Sequence, residues 1–261
     1  MSVVLKRKWR KTLMSDAEQQ NNFSIIIPTY LEANNLPLLI KRISELGFDE
    51  TNFEVIVVDD NSSDGTADRV TELSQTHPWL KLILRRDARS WSKSVLAGIQ
   101  IAKFPILIFM DADLSHPPET IIPMLAALKK PNIEMVIGSR YMRGGSIDKK
   151  WPFYRNLISR MATWIIRPLL PSKIKDPLSG FIAVRKPSDI LNEKLWNPIG
   201  TKLGLEIIVK SHLKNIIEIP IYFGQRQFGE SKLMNMKSVL RYLEQIRQLW
   251  LYKLLGHKLR S

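Results

Sequence analysis

At 261 residues, 44% hydrophobic and 25% charged, the chain has the composition of an ordinary globular protein, one large domain with an appendage. It has no cysteine, which excludes disulfides, zinc thiolates and a cysteine nucleophile. The net charge of +14 is concentrated in three segments, with five basic and no acidic side chains over residues 1–15, nine against one over 140–175 and eight against two over 225–261.

Residues 1–21 read as a basic N-terminal arm, without the apolar stretch and small-residue cleavage site of a secretory signal. Ser24–Ile27 is a short apolar strand that stops at Pro28, and Leu36, Leu39, Ile40, Ile43 and Leu46 then recur at helical spacing. A second strand spans 54–58, and a helix marked by Ala67, Val70 and Leu73 follows, capped by Ser63 or Asp64. Leu80–Leu84 gives a third strand, and Val95, Leu96, Ile99 and Ala102 mark the next helix. Residues 104–110 form a fourth strand. Beyond Pro117 and Pro118 a helix carries Ile121, Ile122, Leu125 and Leu128, and 134–138 is a fifth strand. This alternation predicts a mostly parallel, doubly wound sheet over 22–140. The period then breaks: 155–169 reads as an amphipathic helix, 180–184 and 216–223 as strands, and 235–256 as a long amphipathic helix. No apolar run approaches the roughly 18 residues of a membrane span, so the chain is expected not to cross a bilayer by itself.

Asp111-Ala112-Asp113 ends the apolar run 104–110, and Asp59-Asp60 ends the run 54–58. Two carboxylates at i and i+2 suit one hard cation carrying a diphosphate, because Mg²⁺ and Mn²⁺ prefer oxygen ligands and leave room for substrate phosphates. Two apolar strands that both end in acids point to a ligand crevice at the carboxyl edge of an α/β sheet. The residues outside the three basic segments are net acidic, so the basic segments are candidates for contact with phosphate or an anionic membrane. No zinc-finger, RNA-recognition or helix-turn-helix pattern accompanies the basic charge, and a nucleic-acid partner is not expected.

In order along the chain stand Pro28-Thr29-Tyr30-Leu31-Glu32, Val57-Val58-Asp59-Asp60 with Asp64-Gly65-Thr66, and Asp111-Ala112-Asp113 with His116-Pro117-Pro118. Gly138-Ser139-Arg140-Tyr141, Asp176 to Phe181 and Arg226 to Lys232 complete the set. With it the chain resembles the family 2 glycosyltransferases of the GT-A fold over roughly residues 22–235. Gly138–Tyr141, the spacing of Trp151, Arg155, Ser159 and Arg160, and Phe228–Lys232 narrow the resemblance to the dolichyl-phosphate (polyprenol-phosphate) mannosyltransferase group.

The resemblance implies an α/β GT-A domain over 22–233, with a Rossmann-like sheet between helices, an interfacial amphipathic segment at 151–172 and an amphipathic C-terminal helix at 234–261. It implies that Pro28, Tyr30, Glu32, Val57, Asp59, Asp111, Ala112, Asp113, Arg226 and Lys232 bind a nucleotide sugar. Asp111 and Asp113 would hold Mg²⁺ or Mn²⁺, and Arg140, Arg155 and Ser159 the acceptor's phosphate, with Asp113 and Arg140 catalytic. Turn packing is the competing role for Pro28, and Asp64–Thr66 and His116 are read as structural. The implied activity is inverting, metal-dependent transfer of a hexose, foremost mannose from GDP-mannose, to polyprenyl or dolichyl phosphate. Transfer from UDP-glucose or another UDP-sugar is the alternative. The implied setting is peripheral, at the cytoplasmic face of a membrane, through interfacial helices, charged patches, a homo-oligomer or a separate membrane-anchoring subunit.

Overall fold

The structure is a computed structural model that describes residues 22–148, 161–170, 174–186, 203–211, 213–228 and 236–255, the last segment by its backbone alone at 236–239. The strands are β1 Phe23–Thr29, β2 Phe53–Asp59, β3 Leu80–Leu84, β4 Ile106–Phe109, β5 Met135–Ser139, β6 Ser146–Ile147, β7 Ile182–Arg185, β8 Ile216–Pro220 and β9 Tyr222–Phe223. Seven of them form one sheet in the order β3-β2-β1-β4-β7-β5-β8, and β6 pairs with β9 apart from it. The sheet is parallel except for β7, which runs antiparallel to both β4 and β5. Every residue of β1 and β2 is buried, as a parallel strand covered on both faces requires.

Alternate residues of the strands feed two apolar layers. Ile25, Ile27, Val55, Val57, Ile106 and Ile108 face one core with helices α1 (Leu36–Ser44), α2 (Thr66–Ser74) and α4 (Ile121–Leu128). Ile26, Ile56, Val58, Leu107 and Phe109 face the other with α3 (Trp91–Ile101) and α5 (Leu203–Lys210). Each wholly buried isoleucine or leucine contributes roughly 1.5–3 kcal/mol of transfer free energy, so these layers carry most of the stability. Gly98 lets α3 lie close on β1, since a Cβ there would fall 2.5 Å from Ile26 Cγ2. A third cluster joins Ile166, Leu169 and Leu205 to Ile246 and Leu249 of the C-terminal helix α6 (Met236–Leu255). Residues 161–166 are helical and pass into a 3₁₀ turn at Arg167–Leu169, and the rest of the helix expected over 155–169 lies outside the described residues.

Four local expectations are corrected. β1 runs through Pro28 to Thr29, because the missing N–H of proline leaves its carbonyl and its neighbours free to pair, and Pro28 registers with Val58. The fourth strand is limited to Ile106–Phe109. The N-cap of α2 is Gly65 at φ +85°, not Ser63 or Asp64, although the Asp64 carboxylate still accepts from Thr66 N at 3.1 Å. The strand expected over 216–223 is two strands, because after Pro220 the chain leaves β5 and pairs with β6.

Candidate active site

β1, β2 and β4 all end at the same edge of the sheet, and there the backbone turns sharply. Leu31, Asn61 and Leu114, which follow these three strands, are the non-glycine residues with positive φ among the described residues. Left-handed backbone at such residues costs energy and clusters at ligand crevices, so its concentration at this edge marks a site.

Asp59 and Asp60, which the sequence offers as a second pair of ligand carboxylates, are committed to holding that edge together. Asp59 is wholly buried and accepts from Thr29 Oγ1 at 3.0 Å, Ser62 Oγ at 2.6 Å and Ser62 N at 2.8 Å. Ser62 Oγ in turn accepts from Leu31 N, which ties the loops after β1 and β2 together. Asp60 forms a buried ion pair with Arg85 and accepts from Ser94 Oγ at 2.6 Å and Ser90 N at 2.8 Å. A buried guanidinium–carboxylate pair keeps both charges only when other hydrogen bonds satisfy them, as the two serines do here. The pair fixes the loop 85–90, whose Arg89 lies 4.1 Å over the ring of Tyr30.

The expected donor residues fall into two groups. Tyr30, Glu32, Asp111 and Arg226 reach the crevice surface, with Glu32 Oε2 accepting from Asn35 Nδ2 at 2.6 Å. Pro28, Val57, Asp59 and Ala112 are buried. The Val57 side chain packs in the core under β1 and β2, which limits any contact with a donor to its main chain.

Asp111 keeps 35% of its side chain exposed, whereas Asp113 keeps 4%. Trp91 Nε1 donates to Asp111 Oδ1 at 3.2 Å, and Asp111 N donates to His116 Nδ1 at 3.0 Å. His116 is buried between Phe181 and Phe223, in keeping with its structural reading. Asp113 Oδ1 accepts from Ser115 N and Oγ, and Arg226 Nε lies 2.9 Å from Asp113 Oδ2. The basic loop residue expected on a diphosphate therefore sits on the second acid of the pair.

Across the crevice Arg140 makes a forked contact with Asp176, from Nε to Oδ2 at 2.8 Å and from Nη2 to Oδ1 at 2.7 Å. Arg140 N also donates to Asp176 Oδ2, and Asp176 N donates to Glu218 Oε1 at 2.7 Å. Burial works to lower the pKa of Arg140, but the hydrogen bonds and charge of Asp176 outweigh it and hold the pKa above its ordinary value. The negative charge of Asp111 adds to that effect, which puts the two sides of the crevice in electrostatic contact.

The sequence model of glycosyl transferase family 2 matches residues 24–190. A dolichol-phosphate mannosyltransferase of Mycosarcoma maydis is 38% identical over 237 residues, covering 88% of this chain and 79% of that protein. The chain belongs to glycosyl transferase family 2, in its dolichol-phosphate mannosyltransferase group. The dolichol-phosphate mannosyltransferase of Pyrococcus furiosus is 42% identical over 228 residues, 87% of this chain and 63% of that protein, so this chain spans less than two thirds of that relative. Among solved structures, a mannosyltransferase from Pyrobaculum calidifontis in complex with GDP-Man and Mn²⁺ aligns at TM-score 0.59 and 18% identity, covering 99% of this chain and 72% of that one. That likeness shows the fold.

The acid pair of this family 2 chain fits a divalent cation. Among the described residues no three acidic or histidine side chains converge into a cage, so a cation here would take most of its ligands from substrate phosphates and water, as Mg²⁺ usually does. To such a cation Asp111 would offer Oδ2, and Asp113 would offer Oδ2 in place of its contact with Arg226. Arg155, Ser159 and Lys232 lie outside the described residues. Sequence reasoning missed three residues: Trp91, Arg85 and, as the partner of Arg140, Asp176. Asp176 stands in a quoted motif and Arg85 directly follows an apolar strand, but nothing in the spacing of Trp91 signals its contact with Asp111.

Proposed function

We propose that the chain transfers mannose from GDP-mannose to the phosphate of a polyprenyl or dolichyl phosphate, with inversion at the anomeric carbon. The observation that carries the reading is the convergence, at one sheet edge, of Asp111 and Asp113, of Arg226 on Asp113, and of Arg140 fixed by Asp176. The relatives that share 38–42% of its residues bear the name of that activity. Asp111 and Asp113 would hold Mg²⁺ or Mn²⁺, which when bound neutralises charge on the departing nucleoside diphosphate.

The chain's own residues do the rest by position. The acceptor phosphate is already ionised at neutral pH and needs alignment more than deprotonation. One of its oxygens forms the new bond to the anomeric carbon as the bond from that carbon to the donor's phosphate oxygen breaks, and the nucleoside diphosphate leaves with the electron pair. Arg226 transfers its guanidinium from Asp113 to the diphosphate, both being oxygen anions that suit its planar fork. Arg140 spends Nε and Nη2 on Asp176 and turns Nη1 toward the acceptor phosphate. Tyr30 and Glu32 line the nucleoside end of the crevice, and Lys232, Arg155 and Ser159 are proposed phosphate ligands from their motifs alone.

The proposed setting is peripheral, on the cytoplasmic face of a membrane. α6 buries Ile246 and Leu249, while Leu240, Leu243, Leu251 and Leu254 recur on its opposite side and are exposed. Trp164 and Met161, 77% and 58% exposed, add apolar surface on the segment that packs against α6. An apolar stripe flanked by Arg241 suits an interfacial helix on anionic lipid, whereas Arg247 is paired with Glu244 on the same helix. No described helix is long and apolar enough to cross a membrane.

The test is incubation with polyprenyl phosphate, Mg²⁺ or Mn²⁺, and labelled GDP-mannose or UDP-glucose in parallel, followed by extraction into organic solvent. Lipid-linked label from GDP-mannose, lost in Asp113→Asn, supports the reading. Label from UDP-glucose alone keeps the chemistry and changes the donor, and no label from either refutes the activity.

A further inference from the structure

We propose that Trp91 is the positioning residue for Asp111, holding that carboxylate in the orientation that receives the donor's divalent cation. The inference rests on the donor-site reading above and adds a residue to it. Asp111 is the more exposed acid of the pair, and a carboxylate on the surface of a crevice has no fixed rotamer of its own. Its backbone is held by His116, and its carboxylate by the indole, with Trp91 Nε1 at 3.2 Å from Oδ1. An indole N–H only donates, so it orients a metal-binding carboxylate without competing for the cation. With Oδ1 engaged, the carboxylate stands beside Gly180, where a Cβ would lie 3.6 Å from Oδ2 and 3.9 Å from Oδ1, and Oδ2 is left for the cation.

The indole is itself rigidly placed. Trp91 is the first residue of α3, whose N-cap Ser90 accepts from Lys93 N. Ser90 N and Ser94 Oγ both donate to Asp60, the buried acid at the end of β2, and the ring packs against the core layer under α3. Asp60 thus acts on the cation site at one remove, through the helix start that aims Trp91 at Asp111. Partners that orient a metal-ligating group in this way typically account for about 10–100-fold in metal affinity.

The experiment uses the full chain and Mn²⁺ with GDP. Trp91→Phe keeps the ring's place on the helix and removes the N–H. Free Mn²⁺, followed by electron paramagnetic resonance at saturating GDP, should show half-saturation shifted about tenfold upward in Trp91→Phe. Metal-free GDP affinity and the melting temperature should stay near wild type, which a merely structural loss would not allow. A folded Trp91→Phe protein that binds Mn²⁺ as wild type does overturns the proposal and leaves the donor-site reading intact. A wild-type chain without GDP-dependent Mn²⁺ binding overturns both. If the phenylalanine variant does not fold, the indole N–H resonances of ¹⁵N-tryptophan protein decide. One of them must move in Asp111→Asn, and a spectrum with all indole signals unmoved sinks the assignment.

Discussion

Replacing Asp176 by asparagine tests how far the proposed acceptor side of the crevice depends on a single buried carboxylate. Asp176 is wholly buried, and Arg140 keeps only 12% of its side chain exposed, so neither group can be rehydrated in place. Removing one partner of such a pair costs about 3–5 kcal/mol, because the remaining charge stays buried without compensation. Asparagine retains one acceptor oxygen and can hold one of the two guanidinium bonds, which puts the expected loss at the lower limit, about 3 kcal/mol. For a domain of this size that corresponds to a fall in melting temperature of roughly 6–12 °C. Calorimetry or denaturant unfolding reads the loss directly. A second variant, Arg140→Gln, and the double variant close a cycle. The double should be less destabilised than the sum of the singles by about 1–3 kcal/mol, since the orphaned charge is then gone. Transfer activity, measured well below the melting point of each variant, should be lost in Asp176→Asn although the metal pair is untouched. A variant that melts within about 2 °C of wild type would refute the reasoning, because the forked contact would then carry no energy.

The remaining predictions concern other parts of the molecule. Burial acts to raise the pKa of Glu54, but its bonds with Lys81, Ser24 and Lys103 N outweigh this and lower it. Its contribution is therefore present above the unfolded carboxylate pKa and is lost as pH falls through the lower folded value. Glu54→Gln should accordingly be less stable than wild type at neutral pH, the gap closing below about pH 4 in urea titrations across pH. Gly98→Ala should destabilise by about 1–3 kcal/mol through overpacking against Ile26, measured as a lower urea midpoint with an unchanged slope. Paired Leu243→Glu and Leu254→Glu should weaken sedimentation with vesicles containing anionic lipid by more than tenfold. They should leave the melting temperature near wild type, since both leucines are exposed.

The sheet was legible because β1, β2 and β4 carry continuous apolar runs, Ile25–Ile27, Val55–Val58 and Ile106–Phe109, a pattern that burial on both faces imposes. The order of β7 between β4 and β5 was not legible, because an antiparallel insertion leaves no trace in the composition of Ile182–Arg185. The same limit separates the acids. Asp59, Asp60, Asp111 and Asp113 all follow apolar strands and look alike in sequence, but only Asp111 retains substantial exposure while the others are held by hydroxyls, backbone N–H groups or guanidinium groups. What separates the four acids is thus the partner supplied from a distant segment: Thr29 for Asp59, Arg85 for Asp60, Arg226 for Asp113 and Trp91 for Asp111. Two of these partners come from the connection after β3, Arg85 at its start and Trp91 where it enters α3, a stretch that stands in none of the motifs. That connection braces β2 through Asp60 and aims a donor group at β4 through Trp91. It therefore couples the end of the crevice where Arg89 covers Tyr30, the proposed nucleoside end, to the proposed cation end at Asp111. Mutations in the connection should consequently disturb donor binding more than acceptor binding, because Arg140 and Asp176, which follow β5 and precede β7, are held by each other and by Glu218.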